Sequence, residues 1–177
     1  MIGTTRRTEQ FAEFEAFAHS RGHHLFRTAL LLCGDWHLAE DLTQVTLAKL
    51  FAAWAKVRRA ENHDAYARSV LVRSYLSHRR LRRSAEQPAL RELPEPPARH
   101  APAGDPALRV TLLAALAELP PRDRAVLVLR YWEDRSVEET AAELGVSAGA
   151  VRSQALRALG RLRGVLGPQS SEQLAAP

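Results

Sequence analysis

Apolar residues in the first half of the chain recur every three or four positions, which is the spacing of amphipathic helices. The pattern predicts helices over residues 10–33, 37–57 and 65–83, with a candidate break in the first at Arg21-Gly22. The polar segment 58–64 separates the last two helices. The first half is therefore predicted to fold as a small helical bundle.

The helix predicted over residues 37–57 has apolar residues on more than one face. Two interpretations stay open for it. The helix either lies at the centre of the bundle and is buried broadly, or leaves part of its apolar surface for a partner. The apolar positions concerned are Ala39, Leu42, Val45, Leu47, Leu50, Phe51 and Trp54.

Proline divides the chain after the third helix. Six prolines between residues 84 and 106 forbid a continuous helix and predict an extended linker. Apolar spacing resumes over residues 108–119 and 122–132, where Pro120-Pro121 ends one helix and suits the first turn of the next. The pattern predicts an all-α fold with two small helical domains, residues 1–83 and 108–177, joined by a proline-rich linker at residues 84–107.

Residues 136–163 have the pattern of a helix-turn-helix, two short helices joined by a tight turn. Gly145 suits a left-handed position after the first helix because it has no Cβ. Ser147 can accept hydrogen bonds from the free N–H groups that open the second helix. In such motifs the second helix usually enters the DNA major groove.

The second helix of this motif has an apolar stripe that includes Val151, Ala155 and Leu162. Ser153 and Arg157 point away from the stripe, and arginine and serine side chains suit contacts to phosphates and base edges. The alternative is an ordinary helical hairpin with a solvated basic face. The expected DNA-contacting residues on or beside the exposed face are Arg152, Ser153, Leu156 and Arg157.

The charge is concentrated outside the helix-turn-helix. The 177 residues include 25 lysines and arginines against 20 acidic residues, a net charge of +5, with a pI near 10.1. Residues 1–83 carry 14 basic against 8 acidic side chains, and residues 58–83 alone carry 8 against 2. Such a field favours an acidic partner such as nucleic acid.

The helix predicted over residues 65–83 carries much of this charge. Its inward face is expected to hold Ala67, Val70, Leu71, Ser74 and Leu81. Arg68, Arg79 and Arg83 are expected on the opposite side, where they can neutralise phosphates, and the loop before the helix can hold unpaired bases. A solvated arginine-rich surface is the alternative. Asn62 or Asp64 is expected to cap the helix.

The sequence gives little indication of a disulfide, a metal site or a catalytic site. Cys33 is the sole cysteine and its apolar neighbours predict a buried thiol, so an intrachain disulfide and a cysteine zinc site are excluded. His19, His23 and His24 lack ligand partners at suitable spacing and are expected to be solvated. No phosphate loop or nucleophile constellation indicates an enzyme, and no cofactor is predicted. With no signal peptide and no apolar run near ~20 residues, a cytoplasmic protein is expected.

This order of elements resembles the two-domain, or extracytoplasmic-function, sigma factors of bacterial RNA polymerase, over roughly residues 10–165. Residues 119–163 resemble sigma region 4, residues 34–57 resemble region 2.2, and residues 65–83 resemble the region 2.3–2.4 helix. The amino-acid sequence of these segments most resembles that of the actinobacterial SigE-like group.

The resemblance implies a role for each part of the chain. Region 4 would bind the polymerase β flap and place its exposed helix face in the −35 major groove. The residues implied in docking on the β′ clamp helices are Asp41, Gln44, Leu47, Leu50 and Trp54. The residues implied in −10 recognition and melting, with Asn62 or His63 as the base reader, are Arg58, Arg59, Asn62, His63, Arg68, Arg79, Arg80 and Arg83. Many relatives are also held inactive by an anti-sigma factor.

The chief alternative is a one-component transcription regulator in which residues 10–83 form a sensor domain. That interpretation explains the helix-turn-helix, but it does not explain a basic helix beside a polar loop. A sigma factor explains both, because base pairs lost at the −10 element must be offset by capture of the exposed strand.

Overall fold

The computed structural model describes residues 2–84 and 106–175, and the side chains of residues 8–82 and 110–167. All regular structure in these ranges is helical, which confirms the predicted all-α class. No helix in these ranges combines the length and apolar character needed to span a bilayer. The helices are α1 Ile2–Cys33, α2 Trp36–Ala52, α3 Trp54–Val57, α4 His63–Ser84, α5 Pro106–Glu118, α6 Pro121–Leu127, α7 Val137–Leu144 and α8 Ala148–Ala175, with a π-helical segment at Val128–Trp132 between α6 and α7.

Helix α1 is longer and more regular than the sequence predicts. It begins at Ile2 rather than near residue 10, and it continues through Arg21-Gly22, so the predicted break is wrong. A single glycine costs a helix about 1 kcal/mol, which the packing of a long helix can offset. The helix ends where Gly34, at φ 70°, adopts the left-handed conformation and donates to the Leu30 carbonyl at 2.8 Å.

The helix predicted over residues 37–57 is interrupted. Asp35 caps α2 by accepting from the Leu38 N–H at 2.7 Å, and α2 ends at Ala52. Ala53, at φ −105° and ψ 13°, redirects the chain into the short helix α3. Trp54 and Val57 are thereby brought into the core.

The N-terminal helices α1–α4 and the C-terminal helices α5–α8 pack against each other. The largest buried cluster joins residues of α1, α2 and α4 to Ala125 of α6 and to Val128 and Leu129 of the π-helical segment. Arg124, which is almost fully buried, donates from Nη1 to the Leu32 carbonyl of α1 at 2.8 Å. The sequence pattern did not predict this contact. The linker expected at residues 84–107 lies almost entirely outside the described residues.

The π-helical segment directs side chains into the contact between the two groups of helices. The Glu133 N–H donates to the Val128 carbonyl, five residues back, at 3.0 Å. Asp134 follows at φ 49°, a left-handed value that is uncommon for a residue other than glycine. Trp132 and Glu133 consequently face α1, where Trp132 stacks with His24 at 6.4 Å between ring centroids. Such π-helical insertions are frequent at functional positions.

Candidate nucleic-acid interface

Paired hydrogen bonds fix the start of the helix-turn-helix. Ser136 accepts from the Glu139 N–H at 3.0 Å, and the Glu139 carboxylate accepts from the Ser136 N–H at 2.7 Å, which forms a capping box. Gly145 lies at φ 66° and ψ 40°, the left-handed position predicted for it. Ser147 accepts from the Ala150 N–H at 3.2 Å and begins α8, as predicted.

Helix α8 presents the four side chains expected to contact DNA. Val151, Ala155 and Ala158 are buried, which anchors one side of the helix. Leu156 is 73% exposed and lies among polar and basic side chains. The side chains exposed together are Arg152, Ser153, Leu156 and Arg157.

Two acidic residues pair with arginines of α8. Arg152 donates to Glu138 at 3.0 Å, and both side chains are more than half exposed, so DNA phosphate can replace the carboxylate at low cost. Arg161 is ion-paired instead with the buried Asp123, which also accepts from Gln154 at 3.0 Å. Arg161 and Gln154 therefore brace α8 against α6 and leave the outer face to Arg152 and Arg157.

The segment before α4 is held by one of the residues expected to read a base. The Asn62 Oδ1 atom accepts from the Ala65 N–H at 2.9 Å, so Asn62 caps α4 as predicted. His63 is half-buried, with its ring centroid 6.1 Å from that of Trp54. Arg58 and Arg59 are exposed, and Arg58 is paired with Glu13 at 3.1 Å.

A groove lies between the end of α3 and the first turns of α4. Its volume is about 340 Å³, and it is open to solvent. Basic, aromatic and hydroxyl side chains share its walls, and of these Asn62 and Tyr66 could be predicted from the sequence. Those that could contact a base or its phosphate are Lys56, Asn62, Tyr66, Ser69 and Arg73.

The far end of α4 remains basic and accessible. Arg80 and Arg82 are exposed and Arg79 is half-buried, whereas the Arg83 side chain lies outside the described residues. Leu81 was expected to face inward but is 65% exposed, because the buried stripe of α4 passes through Leu71, Val72 and Tyr75. Burial lowers the pKa of His78, and the charges of Arg82 and Arg79 lower it further.

Arg68 does not belong to this exposed basic surface. Its side chain is 7% exposed, and its guanidinium contacts two carboxylates of the C-terminal half, Glu143 at 2.8 Å and Glu133 at 3.4 Å. The expectation that Arg68 lies on the solvent side of α4 is therefore wrong. The helical wheel of α4 shows only which of its own residues share a face. It cannot reveal that acidic residues of α7 and of the end of the π-helical segment pack against that face.

Glu133 connects this ion cluster to α1. Its carboxylate accepts from the Thr28 hydroxyl at 2.5 Å and lies 3.0 Å from the His24 imidazole. Burial by itself would raise the pKa of Glu133. Hydrogen bonds from His24 and Thr28 and the charge of Arg68 outweigh that effect, so the pKa lies below its ordinary value. We name Arg68, Glu133 and Glu143, with His24 and Thr28, the interdomain clasp.

The lowered pKa of Glu133 predicts the direction of a pH dependence. A carboxyl group whose pKa is depressed by folding stabilises the folded state above its unfolded pKa and loses that contribution as pH falls through the folded pKa. The stability of the wild-type chain should therefore decline below about pH 4.5 more steeply than that of Glu133→Gln. Chemical denaturation at a series of pH values measures both slopes, and equal slopes would contradict the assigned role of Glu133.

The residues expected to dock on a partner protein do not all lie on the surface. Asp41 and Gln44 are exposed and Leu47 is half-buried, but Leu50 and Trp54 lie in the core with exposures of 0% and 5%. Leu50 belongs to the buried side of α2, together with Leu42 and Thr46, and the break at Ala53 turns α3 so that Trp54 is buried as well. Leu50 and Trp54 therefore cannot form an exposed contact face.

Two apolar residues of α2 do reach the surface, although the implied partner set omitted them. Val45 is 45% exposed and Phe51 is 50% exposed. Phe51 also packs edge to face against Phe11, with 6.1 Å between ring centroids. The apolar residues on several sides of α2 were the sequence signal for this surface.

The described part of the chain has neither a metal-binding cluster nor a reactive thiol. No group of histidine, cysteine and acidic side chains there could hold a metal ion. Burial raises the pKa of the Cys33 thiol to about 12, so the thiolate is scarce at neutral pH. Cys33 is therefore a packing residue, as its apolar neighbours predicted.

Comparison with known proteins identifies both groups of helices. Residues 17–85 match the family model for sigma-70 region 2, and residues 109–162 match that for sigma-70 region 4. The chain is 41% identical over 151 residues to the RNA polymerase sigma-E factor of Streptomyces coelicolor, covering 85% of this chain and 84% of that one. It is 33% identical over 173 residues to the ECF RNA polymerase sigma factor SigE of Mycolicibacterium smegmatis, covering 90% of this chain and 63% of the relative.

A solved structure agrees with these sequence matches. The sigma factor RpoE from Bartonella quintana, in complex with the anti-sigma factor NepR, superposes with a TM-score of 0.73 at 25% identity, covering 87% of this chain and 96% of RpoE. The chain belongs to the sigma-70 family of RNA polymerase sigma factors, in its extracytoplasmic-function (ECF) group. It binds core RNA polymerase and directs it to promoters at the start of transcription.

Proposed function

We propose that this sigma factor binds a promoter at two places with two domains, residues 1–83 at the −10 element and residues 108–177 at the −35 element. Residues 84–107 form the tether between them. The observation that carries the −35 assignment is the exposed face of α8, where Arg152 and Arg157 flank a leucine that is 73% exposed. Arginine suits guanine in the major groove, and an apolar side chain suits the thymine methyl group.

The groove beside α4 is the proposed site for a base of the −10 non-template strand. Tyr66 offers an aromatic face for stacking, while Lys56 and Arg73 lie where they can neutralise the adjoining phosphates. Because the Asn62 oxygen already caps α4, its amide nitrogen is the part of that side chain left to contact a base. Arg79, Arg80 and Arg83 would continue the basic surface along the melted strand.

The proposed polymerase surface centres on α2. Asp41 and Gln44 supply polar contacts to the β′ clamp helices, and Val45 and Phe51 supply the apolar area expected at the centre of a protein interface. The C-terminal helices would bind the β flap. In this account the chain is an initiation factor that acts in the cytoplasm, and the polymerase carries out the chemistry.

An anti-sigma factor is the proposed inhibitory partner. RpoE, with which this chain shares its fold, is complexed with the anti-sigma factor NepR. The exposed apolar residues of α2 would suit such a protein as well as they suit polymerase. Competition between core polymerase and the anti-sigma factor would then take place on one surface.

The −10 assignment can be tested on the holoenzyme with a single-stranded −10 oligonucleotide. Arg73→Ala should reduce the salt dependence of binding, with the slope of log K against log salt falling by about 0.7, the value for one phosphate contact to a single strand. Arg122→Ala, at an exposed arginine of α6, is the matched control and should leave the slope unchanged. An unaltered slope for Arg73→Ala would remove that residue from the proposed site.

A further inference from the structure

We propose that helix α1 positions the base-reading segment, residues 58–64, through two ion pairs made by Glu13 and Arg21. The proposal rests on the proposed −10 role of that segment. It adds two positioning residues that lie outside the segment and outside the groove beside α4. We name the ion pairs Glu13–Arg58 and Arg21–Asp64 the α1 brace.

The α1 brace holds the base-reading segment at its first and last residues. The Glu13 carboxylate lies 3.1 Å from Nη2 of Arg58, the residue that follows α3. Nη2 of Arg21 lies 2.8 Å from the carboxylate of Asp64, in the first turn of α4. Glu13 and Arg21 are eight residues apart on α1, a rise of about 12 Å. One continuous helix therefore contacts both ends of a segment whose residues 58–62 belong to no helix.

Aromatic packing fixes α1 against the same part of the chain. Phe14 and Phe17 lie between the two brace residues of α1 in sequence, and each packs on Trp54 with 5.3 Å between ring centroids. The Trp54 ring also lies 6.1 Å from the ring of His63, within the base-reading segment. Because these buried contacts set the position of α1, the two ion pairs hold the ends of the segment at fixed places.

The exposure of the α1 brace indicates a role in positioning rather than in folding stability. Its four side chains are between 36% and 51% exposed. Ion pairs of this kind add little to stability, because water screens them and holding two long side chains together costs entropy. A loop that already has its bound conformation nevertheless binds its ligand more tightly, since less ordering remains to be done. The brace would supply that order to the segment that captures a base.

Arg58 can keep its ion pair with Glu13 while it binds DNA. A guanidinium has five N–H donors, and the contact to Glu13 is made by Nη2, so other donors are left for a phosphate of the −10 strand. The Glu13 carboxylate also brings a negative charge close to a segment that binds phosphates, and that charge repels them. Positioning and repulsion therefore predict opposite effects when the charge of Glu13 is removed.

Neutralising Glu13 tests the first ion pair. The probe is a single-stranded oligonucleotide carrying the −10 element of a promoter that this factor transcribes, and the protein is purified holoenzyme. Glu13→Gln should lower affinity for this strand about fivefold, the upper end of the range for an exposed ion pair. Glu15→Gln removes the same charge from another exposed glutamate of α1 and should not weaken binding. Unchanged or increased affinity of Glu13→Gln would overturn the proposal.

A double-mutant cycle tests the second ion pair on the same holoenzyme and strand. Arg21→Gln and Asp64→Asn should each lower affinity about fivefold. The double variant should bind no more weakly than either single variant, because all three lack the same pair. Arg21→Lys keeps a cation opposite Asp64 and should restore most of the affinity. Losses that add in the double variant, or no loss in Asp64→Asn, would overturn the role of this pair.

Two further measurements separate positioning from folding and from the proposed function. Glu13→Gln and Arg21→Gln should keep the wild-type midpoint of chemical denaturation but lose part of the preference for the native over a scrambled −10 strand. A lowered midpoint with equal losses on both strands would make the brace merely structural and overturn the proposal. A wild-type preference that persists in both variants would overturn it too and leave the −10 assignment intact. Only a wild-type holoenzyme without that preference would overturn the −10 assignment itself.

Discussion

Trp54→Ala should lower the free energy of unfolding of this sigma factor by about 3–5 kcal/mol, the usual cost of truncating a buried aromatic side chain. Trp54 is 5% exposed and contacts Phe14 and Phe17, each with 5.3 Å between ring centroids. Polymerase binding should be lost too, but as a consequence of unfolding. Chemical denaturation followed by circular dichroism measures the stability change.

Phe51→Ala provides the matched comparison, because Phe51 precedes Trp54 by one turn and is half exposed. It should change stability by less than about 1 kcal/mol, and should weaken binding to core polymerase. A Trp54→Ala protein that is fully stable yet unable to bind polymerase would contradict the burial argument and restore Trp54 as a direct contact.

Arg157→Ala should weaken initiation at promoters that depend on their −35 element by about 5- to 150-fold, because an arginine contact to a base contributes about 1–3 kcal/mol. Arg157 is exposed on the outer face of α8, opposite the buried Val151 and Ala158. Run-off transcription from the native promoter and from one with a scrambled −35 element measures the effect.

The scrambled promoter should be insensitive to Arg157→Ala, since the contact it removes is already absent. Arg163→Ala serves as a control on the same helix, since its exposed side chain points in another direction. Equal losses on both promoters, or equal losses for both variants, would show that Arg157 does not read the −35 element.

The helix-turn-helix could be predicted closely because its determinants are local. Gly145 has a backbone conformation that its residue type favours, and Ser147 caps α8 through a hydrogen bond three residues away. The buried stripe of α8 follows from helical periodicity alone. Each of these features depends on neighbours within one or two turns, and a single sequence records those directly.

The position of Arg68 could not be predicted, because its partners are 65 and 75 residues away in the chain. The helical wheel of α4 places Arg68 on the side expected to face solvent. Glu143 lies beside it only because α7 packs against that side of α4. The same limit applies to Leu50 and Trp54, whose spacing suits a docking surface as well as it suits a core. For Trp54 the turn at Ala53, an ordinary helix-forming residue, decides between these possibilities, and for Leu50 the packing of the buried side of α2 does.

The contacts of individual arginines refine the interpretation of the charge distribution along the chain. The excess of arginine in residues 58–83 indicates where nucleic acid binds, but not all of that charge is accessible at once. Arg58 is paired with Glu13 at the surface, and Arg68 is neutralised in the interdomain clasp.

The most direct test of the account is promoter binding and run-off transcription by the full-length chain, measured with and without core RNA polymerase. The account predicts specific transcripts only when both proteins are present, and no tight, sequence-specific binding of duplex promoter DNA by the free chain. Tight and specific promoter binding by the free protein, with no transcript on addition of core enzyme, would contradict it.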